Sequence, residues 1–191
     1  METVRHRIRV VFIFLAFSGM WNLVWSQISS IRWDKTFGGN LDDHALYDSG
    51  ISLIPSRFGS QYYLVGKSKS NISGEKTENS RGFFDYWIVK FNSLGGIVWD
   101  KTFGGDQDEE PWDILELSNG KLLVSGRSWT KFASGDKTQD NYLGMGNRPD
   151  LWIVLLDSNG IKEWDQHYGS DGDDHVGKAI ETPAKNIILI G

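Results

Sequence analysis

Apolar residues in this chain fall in short runs broken by glycine, asparagine, aspartate and serine. No segment after the N-terminus sustains a 3.6-residue period. The best-spaced runs predict four strands, Asp113–Leu117, Leu122–Gly126, Leu151–Leu156 and Ile161–Tyr168. Turn signals separate the outer pairs: "SNGK" at Ser118–Lys121 and "DSNG" at Asp157–Gly160. Asn-Gly between apolar runs favours a tight hairpin because both residues tolerate positive φ. "WIV", at Trp87 and again at Trp152, is apolar without alternation, which suits a strand covered on both faces. The apolar, helix-like stretch near the N-terminus is read separately, as a leader.

The same pattern returns along the chain. "WDKTFGG" stands at Trp33–Gly39 and Trp99–Gly105, and "WDQHYGS" at Trp164–Ser170, a spacing of about 65 residues. "DYWIVKFNSLGGIVWD" (Asp85–Asp100) answers "DLWIVLLDSNGIKEWD" (Asp150–Asp165), and "SGEKTEN" (Ser73–Asn79) answers "SGDKTQD" (Ser134–Asp140). Each module then holds four strands with one long third connection, from about Lys67 to Phe84 and from about Ser128 to Pro149. Four antiparallel strands repeated at fixed spacing predict an all-β fold, a partial β-propeller of four-stranded blades. A solenoid is the rival, and fits less well because its coils usually repeat over ~20–47 residues. Ile31–Phe37 is a lone fourth strand, two full modules follow, and "NIILIG" (Asn186–Gly191) starts another. Propellers need ~4–8 blades, so the sequence reads as the front part of a longer protein. The alternative is a short protein that closes by self-association. Self-association is expected of the fragment in any case, through its open apolar edge at Ile187–Ile190.

The "WDKTFGG", "SG(E/D)KT" and "DYWIVK" segments together resemble a repeat of secreted β-propeller proteins from Bacteroidetes-type bacteria. The resemblance spans about Ile31 to Gly191. It implies export, and proteins of that kind often end in a sorting domain for type IX secretion, which is not present in this sequence. It implies no particular activity. The "WD" pair lacks the Gly-His dipeptide of WD40 repeats.

Export is also what the N-terminus predicts. Arg5, Arg7 and Arg9 precede the apolar run Val10–Phe17, and Val24-Trp25-Ser26 offers a small-x-small site for cleavage before Gln27. Residues 1–26 are therefore read as a signal peptide and 27–191 as the repeats; an uncleaved anchor is the alternative. Cleavage removes Arg5, Arg7, Arg9 and Glu2, leaving the remainder more acidic than the −5 of the full chain. That charge argues against nucleic acid, and against a membrane partner after cleavage. The absence of cysteine excludes disulfides, thiolate metal sites and a cysteine nucleophile.

Candidate chemistry centres on three acidic clusters: "NLDDH" (Asn40–His44), "DQDEE" (Asp106–Glu110) and "DGDDH" (Asp171–His175). Asp-x-Asp spacing in a glycine-rich loop makes Asp106, Asp108, Asp171 and Asp173 the candidate ligands for Ca²⁺. The EF-hand pattern fails, however, and a polar turn whose carboxylates bond backbone N–H groups is the preferred reading. No other cofactor is expected. A paired-carboxylate glycosidase site is disfavoured because these acids recur with the module, whereas a catalytic pair is singular. His44 and His175 match in position but adjoin no nucleophile motif, and G-x-S-x-G, P-loop and H-E-x-x-H patterns are absent. Trp33, Trp99, Trp164, Trp87 and Trp152 recur in register and read as packing between blades. Trp112 and Trp129 fall outside that register and are the candidate exposed binding aromatics. The sequence thus predicts a non-enzymatic binding or adhesion scaffold for a glycan or surface protein. The alternative is the front of an extracellular polysaccharide-active enzyme.

Overall fold

The computed structural model describes residues 8–13, 31–45, 53–142, 148–174 and 178–191. The cleavage site at Val24–Gln27, and His175, lie outside them. The described residues form strands and no helix, in four antiparallel sheets. β1 (Ile8–Ile13) pairs with β2 (Ile31–Phe37). The next sheet runs β3 (Asp43–Ala45), β5 (Gln61–Ser68), β6 (Asp85–Asn92), β7 (Ile97–Phe103), with β4 (Leu53–Pro55) also on β5. β8 (Glu109–Glu116), β9 (Leu122–Ser128), β10 (Asp150–Leu156) and β11 (Lys162–Tyr168) follow as a four-stranded meander. β12 (Lys178–Glu181) and β13 (Ile187–Ile190) form the last pair. The sheets are open.

Strand alternation divides the core into layers. Tyr86 and Ile88 of β6 turn one way, to meet Trp152, Val154 and Leu156 of β10 with Tyr63, Val65, Ile114 and Val124. Trp87, Val89 and Phe91 turn the other way and pack with Phe37 of β2. Ile153 and Leu155 likewise pack with Leu123 and with Ala179 of β12. Residues of "WIV" are buried on alternate faces because a packed layer lies on each side, as their unbroken apolarity predicts. The hairpin turns carry glycine in the left-handed region at Gly95, Gly120 and Gly160; the turn between β12 and β13 places Lys185 there, at φ 67°.

Three local expectations are corrected. The N-terminal apolar run, read as helix-like, is extended over Ile8–Ile13. The first strand of the second module begins at Glu109, four residues before the expected Asp113. Pro111, which has no N–H to give the ladder, is accommodated by a bulge between Pro111 and Asp113. The register tryptophans also divide. Trp87 and Trp152 are fully buried, Trp99 is half-buried against Tyr63, and Trp164 on the edge strand β11 is 41% exposed.

Candidate functional site

The Gly-Gly loops after β2 and β7 and the long loops after β5 and β9 meet at one end of the sheets. The same bonds join them in both modules. The Gly38 N–H donates to Glu75 Oε2 at 3.2 Å, and the Gly104 N–H to Asp136 Oδ2 at 3.2 Å. Asn40 and Asp106 donate backbone N–H groups to Ser73 and Ser134, and Leu41 and Gln107 to Ser70 and Thr130. The acid at the fourth position of each cluster caps its own loop. Asp43 accepts the Gly39 N–H at 2.7 Å, Glu109 that of Gly105 at 2.7 Å, and Asp174 that of Ser170 at 2.7 Å. Asp43 also accepts from Ser68 and Ser70, and Glu109 from Ser128 and Thr130. The four calcium candidates are placed differently. Asp106, Asp171 and Asp173 are exposed, while Asp108 accepts the Phe84 N–H at 3.1 Å. Among the described residues no group of three histidine, aspartate or glutamate side chains stands together as a metal set.

Behind the loops lies a buried polar layer. Asp100 accepts from Thr77 N–H, Thr77 Oγ1 and the Trp87 indole (3.0 Å); Asp165 accepts from Thr138 N–H, Thr138 Oγ1 and the Trp152 indole (3.0 Å). This explains why the repeat retains Trp-Asp, Lys-Thr and Trp-Ile-Val together: each supplies one partner of a single buried knot. Lys76 lies under the first loop, its amine donating to Ser68 and Ser80, and burial lowers its pKa to about 8. Burial raises Asp85 to about 6 and Glu109 to about 7. Both carboxylates crowd Gly104. A Cβ there would fall 1.9 Å from Asp85 Oδ1 and 2.8 Å from Glu109 Oε2, so the position admits only glycine. Neither acid has solvent exposure, and Asp85 Oδ1 has no hydrogen-bond partner.

On this shared frame the residues near the surface differ. Lys67 of the first module becomes Arg127 in the second, Lys69 becomes Trp129, and His44 becomes Glu110. Glu110 ties two modules together, forming a close ion pair with Lys67 and accepting from Arg127 Nη2 at 2.9 Å. Burial acts upward on Glu110, but its bonds to Lys67 and Arg127 outweigh it and hold the carboxyl below the ordinary range. The Arg127 guanidinium lies 5.1 Å from the Trp112 ring and 4.9 Å from Trp129, within cation–π reach of each. Lys67 and Lys69 approach Phe84 at 4.8 and 5.2 Å. Trp112 and Trp129, singled out in the sequence, are thus brought together by an arginine that pattern alone did not mark. Both are half-buried.

The Trp129 N–H bonds the Asp108 carbonyl at 2.9 Å. Two residues further on, Lys131 and Phe132 line a groove of about 310 Å³ together with Asp106 and Gln107. Phe132 is 61% exposed and lies in a lengthened loop: "SWTKFASG" has one residue more than "SKSNISG". Phe83, also 61% exposed, donates its N–H to the Gln107 carbonyl at 3.1 Å. Lengthening and substitution between the aligned modules are the sequence signals that locate this groove. No protein-family model matches this chain, and no curated protein matches it.

Proposed function

We propose that this chain is an exported, non-enzymatic β-propeller repeat protein whose loop end binds a saccharide at or outside the cell surface. The propeller reading draws support from successive antiparallel sheets, one of five strands, one of four and a final pair, with β8 packed against β5 and β12 against β8. Export rests on the basic and apolar N-terminus. The observation that carries binding is the contrast at the loop end, where two modules keep the buried bonds and change the residues above them. In the second module that change adds Phe132 to the lining of a groove with a carboxylate, an amide and an ammonium group, and Trp129 two residues before Lys131 on the same loop. Aromatic faces take the C–H face of a sugar ring, and Asp106, Gln107 and Lys131 can bond its hydroxyls. The acids with raised pKa, Asp85 and Glu109, are sealed beneath Gly104 and serve the frame in this reading.

The test is binding of the purified full chain to an immobilised panel of neutral and uronate-containing oligosaccharides. The expected result is saturable binding to a subset, weakened about tenfold or more by Trp129→Ala or Phe132→Ala. Failure to bind any member, or binding untouched by both substitutions, defeats the saccharide reading. Recovery from the native host with an N-terminus near Gln27 is expected of export; an intact Met1 terminus in the membrane fraction contradicts it.

A further inference from the structure

Two exposed phenylalanines are tied to the lining of the groove, and different modules supply them. Phe132 lines it from the second module, while Phe83 lies near the end of the first module's long loop; each is 61% exposed. Both are carried on segments that bond Gln107, itself part of the lining. The Gln107 carbonyl accepts the Phe83 N–H at 3.1 Å. The Gln107 N–H donates to Thr130 Oγ1 at 3.1 Å, two residues before Phe132.

The segment that carries Phe83 is fastened residue by residue. The Arg81 N–H donates to Asp85 Oδ2 at 2.6 Å, and its guanidinium pairs with Asp136 of the second module at 2.9 Å. Gly82 lies directly on the backbone of the Gly-Gly loop: a Cβ there would fall 2.6 Å from the Gly105 carbonyl oxygen and 2.7 Å from that of Gln107. Phe84 donates its N–H to Asp108 Oδ1 at 3.1 Å, and its carbonyl accepts the Glu109 N–H at 2.6 Å. On the other segment, the Lys131 carbonyl accepts the Asn141 N–H and Ala133 donates its N–H to Asp140, each at 2.8 Å. Both backbones are held, while the rings they carry stay in water. An apolar ring left exposed on a fixed backbone forgoes the gain of burial and offers a partner contact area at small entropic cost. The next seam lacks this arrangement. The Asp174 N–H meets the Pro149 carbonyl as the Glu109 N–H meets that of Phe84, which puts Arg148 at the place of Phe83 and Gly172 at that of Gln107. The paired phenylalanines therefore belong to one seam and not to the frame that the modules share.

We infer that Phe83 is a second aromatic subsite of the groove, and that the ligand is an oligosaccharide laid across the seam, with one sugar ring on Phe132 and another on Phe83. The inference rests on the saccharide reading and adds a minimum length to the ligand. A single sugar engages one ring; a chain engages both, and linking two contacts gives more affinity than either supplies alone.

The probes are cello-oligosaccharides and oligogalacturonates, each from the single sugar to the hexamer, titrated into the full chain. In the series that binds, affinity is expected to rise about tenfold or more from the single sugar to the hexamer. Phe83→Ala should remove about tenfold of the hexamer's affinity and leave that of the single sugar unchanged, whereas Phe132→Ala weakens both. Phe83→Trp, which restores a ring face, should keep the dependence on length. A hexamer affinity untouched by Phe83→Ala, while Phe132→Ala still weakens it, overturns the inference and leaves the saccharide reading standing. Equal loss for single sugar and hexamer on Phe83→Ala overturns it too, since that marks a disturbed frame and not a lost subsite. Binding of neither series overturns the inference; binding of no member of the wider panel overturns the saccharide reading with it.

Discussion

In the first module Glu78 and Lys101 meet as an ion pair at 2.9 Å; at the same two places in the second, Gln139 and Gln166 join amide to amide at 3.1 Å. Here the chemistry changed and the contact survived. At Lys69 and Trp129 the chemistry changed and the contact did not survive: one side chain bonds Asp42, the other lies beside Arg127. The knots at Asp100 and Asp165 changed in neither respect. The comparison sorts the molecule by depth. Positions that must satisfy a buried group keep that group or its partner; positions above the loops are free to diverge, and in the second module they gather aromatics.

Breaking the unchanged layer should have the largest effect. Trp152→Ala removes a fully buried ring and leaves Asp165 short of a donor, a loss of about 3–5 kcal/mol in denaturant unfolding. Phe132→Ala, at an exposed position of the lengthened loop, should change stability by no more than about 0.5 kcal/mol. Similar losses from the two would erase the distinction between frame and surface.

Glycine positions sharpen it next. Gly104→Ala forces a methyl onto the Asp85 and Glu109 carboxylates, an overpacking that should cost about 1–3 kcal/mol. Gly172→Ala, whose Cβ meets only Ser170 Oγ at 3.5 Å, should leave the melting temperature nearly unchanged.

The buried acids make a pH prediction with a definite sign. Asp85 and Glu109 have folded pKa values of about 6 and 7, above their values in the unfolded chain. Their contribution is therefore present at low pH and lost as pH rises through those values. Between pH 8 and 5 the pair should add on the order of 4 kcal/mol to stability as the solution is acidified. His167, whose pKa is lowered by burial, opposes this as pH falls through its folded value. Glu78 and Glu110, held below their ordinary range, lose their contribution only below about pH 4.5. Unfolding titrations of Asp85→Asn and Glu109→Gln should each lose part of the gain between pH 8 and 5. An unchanged slope contradicts the assignment.

The smallest effect is expected from converting one module's pair to the other's. Glu78→Gln with Lys101→Gln should cost within about 0.5 kcal/mol, because a partly exposed ion pair contributes little net. Each single change should cost more than the double, by a double-mutant cycle.

Much of the frame was legible in the sequence. Alternation, Asn-Gly turns and the unbroken "WIV" runs placed β5 to β7 and β9 to β11 within a few residues, because burial on two faces leaves few residue choices. The start of β8 was missed because Pro111 argues locally against a strand, and only the bulge in the ladder accommodates it. The acidic clusters were legible as turns. Which acid goes inside was not, since Asp43 and Glu109 are buried by serine and threonine donors far along the chain. Trp112 and Trp129 stood out by breaking register, whereas Arg127 and Glu110 acquire meaning only when β8 and β9 pair.

The central claim is that the loop end of the second module is a binding surface carried on an inert frame. The most direct measurement is the indole N–H spectrum of the full chain, with its nine tryptophans assigned by substitution, during titration with an oligosaccharide selected from the panel. The account predicts saturable movement of the Trp129 signal, with Trp112 following through Arg127, while the signals of Trp87 and Trp152 stay fixed. Movement confined to the buried pair, or a Trp129 signal that stays still while ligand binds elsewhere, would contradict it.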